Sequence, residues 1–351
     1  MFLYCTGDSI GEPTGGGKVT QEESDALAAL GPVKVFDRKR LEGGNDPWGW
    51  DEVMSRKSFE EMGSPKLAHF YSGCFSKTVA KLKANGCKVI YTVAAHDRKV
   101  SQEEHAKLGI PFNYPHLVEP FAWSKYVEGY RLADAIICPG SVPAKTVREY
   151  GGDFAGKRIE VIPHGVDVPI EQPKRFPKRF VVGYMGSLGP DKGVIYLLQA
   201  WKQLNFKDVT LVLAGRDSIS PFAHGLIERF GGGTICLMGW VDKVADFYDS
   251  ISLFVCPAAT EGFNLETLEA MAHGRPVVCS EGAGAVDLLP EWYRFQARNV
   301  EELTAKIEQV KIRNMANEVN GGYPYWKGIA LDNSWTKVKE RYQAIWKGML
   351  A

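Results

Sequence analysis

What most restricts this chain is the alternation of short apolar runs, rich in valine and isoleucine, with longer amphipathic stretches. In the first half MFLYCT, KVF, LAHFY, KVIYTVAAH, AIICPG and IEVIPHG succeed one another. They are continuously apolar, not alternating in polarity, which is the pattern of strands covered on both faces by helices in a parallel sheet. Between them TQEESDALAALG, CFSKTVAKLKANG and SKYVEGYRLA read as helices, and two of these stop at a glycine. The segment DVPIEQPKRFPKRF, from Asp167 to Phe180, is rich in proline and charge and has little to bury. After it the alternation restarts with FVVGYMGSL, VTLVLAGR, TICLMGWV, LFVCPA and PVVCS as strands, and helices are expected near 193–204, 221–230, 242–249 and 264–273. The stretch NSWTKVKERYQAIWKGML reads as a last amphipathic helix. The pattern predicts an α/β protein made of two doubly wound, Rossmann-like halves. The expected division is a domain over 1–168, a linker over 169–179, a domain over 180–330 and a terminal helix over 334–351.

A length of 351 residues suits two such domains. The 45% hydrophobic and 24% charged fractions exclude a disordered or collagen-like chain. Lysine plus arginine and aspartate plus glutamate both number 42, with each half balanced, so bulk charge selects neither nucleic acid nor acidic lipid as a partner. Lys77, Lys81, Lys83 and Lys88 read as a solvated helix face, with weak peripheral contact to anionic lipid as the alternative. Seven cysteines never fall in a C-x-x-C spacing, and several sit in apolar runs as small buried hydrophobes, so no disulfide framework or zinc site is legible. The start MFLYCTGDS lacks the basic region of a signal peptide, and no apolar run approaches the ~18–20 residues of a bilayer span. A soluble, cytoplasmic protein is expected.

In open α/β sheets ligands bind beyond the carboxyl ends of the strands. Polar residues that directly follow the apolar runs are therefore the candidates. The densest set is CPAATEGFNLETLEAMAHGRPVVCS: a loop carrying Glu261, then a helix from near Asn264 with Glu269 in its second turn, ending at Gly274. The N–H groups of Gly262, Phe263, Asn264 and Leu265 would form an anion site at that helix start. Carboxylates beside it accept hydrogen bonds from sugar hydroxyls, or else merely complement the helix dipole on a solvated face. A second candidate is VVGYMGSLGPDKGVIYLLQAW, where Lys192 at a strand–turn–helix junction faces phosphate. A third is the glycine run Gly15-Gly16-Gly17 in a loop before the first helix, where backbone can approach a ligand closely. It fits neither a P-loop nor a dinucleotide fingerprint. The fourth is His96, at the end of the most apolar strand of the first half. Trp240 and Val241 follow the strand of TICLMGWV, and Trp48 and Trp50 sit in a glycine-rich loop, either to stack a sugar or to pack against helices. His164 is expected to be structural or part of a hinge.

The string from Glu261 to Val278 resembles the signature of retaining glycosyltransferases of family 4, which have the two-Rossmann GT-B fold and carry two glutamates separated by seven residues. Glu261 and Glu269 have that spacing, and EAMAHGRPVV matches the usual continuation. The resemblance runs over nearly the whole chain. It implies a first domain that binds the acceptor, a second that binds a nucleotide sugar, and an interdomain crevice holding the donor. It implies that Glu261 contacts the donor sugar, that Glu269 grips the ribose, and that amides of Phe263–Leu265 hold phosphate and sugar. By the same resemblance Lys192 neutralises the diphosphate, Gly16 and Gly17 close over it, His96 lies beside sugar and acceptor, and Trp240–Val241 contact the base through main chain. The family commonly has an arginine five residues before the lysine; here that residue is Ser187. Arg216, directly after VTLVLAG, is the candidate replacement. No D-x-D occurs in the chain, which fits a metal-independent enzyme without a cofactor. The implied reaction moves a hexosyl unit from a UDP- or GDP-sugar to a sugar, glycolipid or polysaccharide hydroxyl. A sugar-nucleotide epimerase of the same fold and a non-catalytic nucleotide-sugar-binding protein are the alternatives.

Overall fold

The structure, a computed structural model, describes residues 1–6, 10–12, 14–37, 51, 53, 64–71, 73–94, 97–112, 120–170, 177–315 and 323–351. Trp48, Trp50, His96 and residues 171–176 of the linker segment lie outside the described residues. In chain order the first elements are β1 (Phe2–Thr6), α1 (Gly15–Ala28), β2 (Val33–Phe36), β3 (Leu67–Tyr71), α2 (Ser76–Ala84), β4 (Lys88–Thr92), α3 (Arg98–Leu108), α4 (Pro120–Leu132), β5 (Ala135–Cys138), α5 (Ser141–Arg148) and β6 (Ile159–Val161). There follow β7 (Val181–Met185), α6 (Val194–Leu204), β8 (Thr210–Ala214), α7 (Pro221–Phe230), β9 (Ile235–Gly239), α8 (Val244–Ser250), β10 (Leu253–Cys256), α9 (Leu265–Ala272), β11 (Val277–Ser280), β12 (Arg294–Phe295), α10 (Val300–Met315), α11 (Tyr323–Asp332) and α12 (Trp335–Leu350). The chain divides into two units, Met1–Ala95 with Phe112–His164 and Trp335–Ala351, and His96–Pro111 with Gly165–Ser334. Among the described residues no helix is long and apolar enough to cross a membrane.

The first unit is built on a parallel sheet of order β2-β1-β3-β4-β5-β6. Every residue of β1, β3 and β5 is buried, as their unbroken apolar runs require. One face of the sheet is apolar: Leu3, Cys5, Phe70, Phe75, Val89, Tyr91 and Ile136 form one core cluster, with the Phe70 and Tyr91 rings stacked at 5.0 Å.

The other face carries a buried polar cluster, which α12 completes. Glu23 on α1 accepts hydrogen bonds from the hydroxyls of Tyr4 (2.8 Å) and, from α12, Tyr342 (2.7 Å). Trp346 Nε1–H donates to His69 Nδ1 at 3.0 Å. An indole nitrogen can only donate, so Nδ1 must be the bare nitrogen and the imidazole proton sits on Nε2. That nitrogen lies 2.8 Å from Thr92 Oγ1 and 3.5 Å from Glu23 Oε2. Burial pushes the His69 pKa down to about 3, so the ring is neutral. Burial pushes Glu23 up to about 7, against the opposing pull of hydrogen bonds from Tyr342, Tyr4 and Thr92. His164, also buried, is likewise held neutral.

The second unit has the order β12-β11-β10-β7-β8-β9, again all parallel. Read from β9, its strands run third, second, first, fourth, fifth, sixth, which is the Rossmann order. The order reverses between β7 and β10, the kind of switch point beyond whose carboxyl strand ends open α/β sheets take their ligands. Six cysteines are buried and Cys236 is exposed, and none is in a disulfide. Cys256 and Cys279 are register partners on β10 and β11. Helix α3 is counted with this unit although it precedes β5 in sequence.

Candidate functional site

The loops that leave β7 and β10 flank the switch point of the second sheet, and both were picked out by the residues they carry. After β7 the chain makes a turn over Pro190–Lys192, followed by Gly193 at φ 66° and then α6. Gly193 is required twice over: the left-handed backbone disfavours a side chain, and a Cβ would run into the carbonyl oxygen of Pro257. The Lys192 ammonium is thereby set against the loop after β10, where it forms an ion pair with the Glu261 carboxylate. The two groups, singled out separately in the sequence, are partners.

That loop is tied down through its main chain. The Asp191 carbonyl accepts from the amides of Ala259 (2.8 Å) and Thr260 (3.3 Å). The Glu261 amide donates to Gly282 O at 2.9 Å, and the Glu261 carbonyl accepts from Gly284 at 3.2 Å. Phe263 is buried in the core, and its carbonyl accepts from Ala285 at 2.8 Å, so only its main chain is available to a ligand. Asn264 takes φ 78°, a conformation that asparagine tolerates better than most residues, and its Oδ1 caps α9 by accepting from the Thr267 amide at 3.1 Å and hydroxyl at 2.6 Å. The stretch Gly262–Leu265 therefore leads into a helix start, where the first amides have no carbonyl partner within the helix and the dipole is positive.

In the second turn of α9, Glu269 accepts a hydrogen bond from the Tyr248 hydroxyl at 2.7 Å. The Tyr248 ring in turn stacks on His273, 5.1 Å between centroids. Burial pushes the Glu269 pKa up to about 7; the Tyr248 hydrogen bond opposes the rise, and the nearby charges of Glu266 and Asp167 add to it. A carboxyl group so placed takes hydroxyl donors best once it has lost its proton. Tyr248 was missed in the sequence, because VADFYDS on α8 reads only as an amphipathic helix.

Ser187 is exposed just beyond β7, and its carbonyl accepts from Tyr184. Arg216 starts the turn after β8, with its guanidinium over the Trp240 ring at 5.0 Å. Trp240 is half exposed after β9 and donates from Nε1 to Asp242 at 3.0 Å; Val241 beside it is half-buried. The two residues thus cap neighbouring strands at the same sheet edge, on the β8–β9 side of Lys192. Gly16 and Gly17 correct an expectation. They do not form a loop ahead of α1 but lie in its first turn, because the Thr14 hydroxyl accepts the Gly17 amide at 3.0 Å and starts the helix early. They belong to the first unit. His96 lies outside the described residues.

Residues 15–169 match the family described as Glycosyltransferase Family 4, and residues 179–311 match Glycosyl transferases group 1. Among curated relatives, the sulfoquinovosyl transferase SQD2 of Arabidopsis thaliana is 25% identical over 244 residues, 63% of this chain and 46% of that protein. The lipopolysaccharide core biosynthesis mannosyltransferase LpcC of Rhizobium leguminosarum bv. viciae is 29% identical over 191 residues, 48% of this chain and 50% of that protein. The chain thus spans about half the length of these relatives. Among solved structures, sucrose-phosphate synthase from Thermosynechococcus elongatus superposes with a TM-score of 0.77 at 16% identity, covering 99% of both chains. Anabaena HepE in complex with UDP-glucose gives 0.69 at 17% identity, covering 99% of this chain and 100% of that one. The architecture is GT-B, and the chain belongs to the glycosyltransferases of family 4 and group 1.

Proposed function

We propose that this protein is a retaining, metal-independent hexosyltransferase that moves a sugar from a UDP- or GDP-sugar to a hydroxyl of a sugar, glycolipid or polysaccharide. The observation that carries the reading is the Lys192–Glu261 ion pair at the switch point of the second sheet, in the loop that leads into α9, whose second turn carries Glu269. The donor belongs to the second unit and the acceptor to the first. A donor diphosphate takes over the Lys192 ammonium and frees Glu261 for the sugar hydroxyls. The amides of Gly262–Leu265 meet the phosphate and sugar oxygens, and Glu269 accepts from the ribose. Trp240 and Val241 lie at the base, Arg216 supplies the charge that Ser187 lacks, and Gly16, Gly17 and His96 are contributed from the first half of the chain. Retention then follows from attack on the face the phosphate leaves, with that phosphate accepting the acceptor's proton. Lys192 and the helix start stabilise the growing charge.

Support comes from the family match, from HepE as a neighbour bound to UDP-glucose, and from relatives that are sugar transferases. Calorimetric titration with UDP, GDP and ADP on wild type and Glu269→Ala tests the donor half. One nucleotide binding selectively, and more weakly to the variant, is the expected result. Release of nucleoside diphosphate only when an acceptor is present separates transfer from epimerisation and from mere binding. Absence of binding to all three nucleotides sinks the reading.

A further inference from the structure

The second unit contains one helix that the alternation along its own sequence does not supply. Helix α3 is connected to β4 of the first sheet, yet it packs in the second unit against the turn that ends in Lys192. Its contacts converge on the two segments that carry the ion pair. At its start, the Asp97 amide donates to Thr260 Oγ1 at 2.8 Å, while the Asp97 carboxylate caps the helix through the Val100 amide at 3.0 Å. One turn on, Ser101 stands beside the Asp191 carboxyl group, whose pKa burial raises and Ser101 pulls back down. His105 Nδ1 donates to the Ser101 carbonyl at 2.8 Å and stands 3.7 Å from Asp191 Oδ1. Thr260 precedes Glu261 and Asp191 precedes Lys192, and the two are already joined through the Asp191 carbonyl.

The helix is fixed in rotation by Glu104, which has no exposed surface. Its carboxylate accepts from the Tyr196 hydroxyl at 2.7 Å and from Lys107 Nζ at 2.7 Å, and it pairs with Arg298 Nε at 2.9 Å. Arg298 itself stands at φ 71° and also reaches Glu103 at 2.9 Å and the Val100 carbonyl at 3.4 Å. An apolar side chain could fill the place of Glu104 without the cost of desolvating charge. What only a directional network provides is a single azimuth and register for α3, the one that turns Ser101 and His105 to Asp191.

We propose that α3 is a brace for the phosphate side of the site: Asp97 holds Thr260, Ser101 and His105 stand against Asp191, and Glu104 is the positioning residue that anchors the brace. The proposal rests on the donor reading for its catalytic meaning. A lysine that must meet developing negative charge is effective only if held in place beforehand, and the brace does this without touching substrate.

Amide hydrogen exchange on the whole protein, wild type against Glu104→Gln, is the test. The amides of Lys192, Ala259, Thr260 and Glu261, all hydrogen-bonded in the braced arrangement, should exchange about fivefold faster or more in the variant, with β10 and α8 unchanged. Thr260→Val, which removes the acceptor of the Asp97 amide at nearly constant shape, should do the same and carries the test if Glu104→Gln does not fold. Titration of these proteins with UDP and uridine, and with GDP and guanosine, adds the functional readout. Diphosphate affinity should fall about fivefold while nucleoside affinity stays within about twofold. Unchanged exchange at the four amides overturns the brace, as does an equal loss of nucleoside and diphosphate binding. If the wild type binds no nucleoside diphosphate, the donor reading fails, and the exchange rates still decide whether α3 braces the loop.

Discussion

Replacing Glu23 with glutamine should remove a pH dependence that the wild-type fold carries in its first unit. The folded carboxyl group titrates at about 7 instead of 4.5, chiefly because it is buried, with hydrogen bonds from Tyr342, Tyr4 and Thr92 limiting the rise. Below the unfolded value both states hold the proton and nothing is lost. As the pH climbs toward 7 the unfolded chain gives its proton up while the folded chain keeps it, so stability falls across that window and then levels. A shift from 4.5 to about 7 corresponds to on the order of 3 kcal/mol at 1.36 kcal/mol per unit. His69 stays neutral throughout the window, and the two tyrosines that face Glu23 are held protonated by burial, so no neighbour reverses the sign. Glu23→Gln keeps the shape and an acceptor for the hydroxyls but cannot ionise. Thermal unfolding of both proteins from about pH 4.5 to about pH 8.5 is the assay. The melting temperature of the variant relative to wild type should rise by roughly 6–12 °C over that range, at about 2–4 °C per kcal/mol for a unit of this size. Parallel curves would refute the reasoning, since every other titrating group is common to the two proteins.

The same logic applied to Glu269, whose carboxyl also titrates near 7, makes nucleotide affinity rise with pH through neutrality, because ribose hydroxyls bond more strongly to the ionised form. Glu269→Gln should flatten that profile in calorimetry, and Tyr248→Phe should shift it to higher pH by removing the hydrogen bond that favours the ion. Arg216→Ala should weaken nucleoside diphosphate binding by roughly tenfold, the worth of one charge-assisted phosphate contact. Untouched affinity and turnover would discard Arg216 as the substitute for the missing arginine. Gly193→Ala should cost about 1–3 kcal/mol in denaturant unfolding and disturb the Lys192–Glu261 pair, because φ is 66° there and the Pro257 carbonyl blocks a Cβ.

Strands were legible in the sequence because full burial leaves an unbroken apolar run. LFVC and VVCS needed no context, and helices 221–230 and 265–272 fell where periodicity and caps put them. The start of α1 was not legible, because a glycine run reads as a loop until one knows that Thr14 caps it. Nor was α3. RKVSQEEHAKL has its polar residues buried in specific pairs, so its pattern of hydrophobicity says little about where it packs. In the site, Glu261, Lys192 and Glu269 stood out by type and spacing. Their supports Tyr248, Asp191 and Thr260 did not, since a hydroxyl or carbonyl acting through geometry leaves no mark on composition.

Helix α12 lays Trp335, Val338, Tyr342 and Trp346 into the first unit, and this fixes an order of events during synthesis. Tyr342 is 319 residues downstream of the Glu23 it must meet, which at about 5–20 residues per second is a delay of roughly 15–60 s. In that interval every strand of the second sheet is made, while the cluster of His69 on β3 and Glu23 on α1 waits for the helix that completes it. Of the two units, the one whose first strand is made earlier is therefore the one that is completed later.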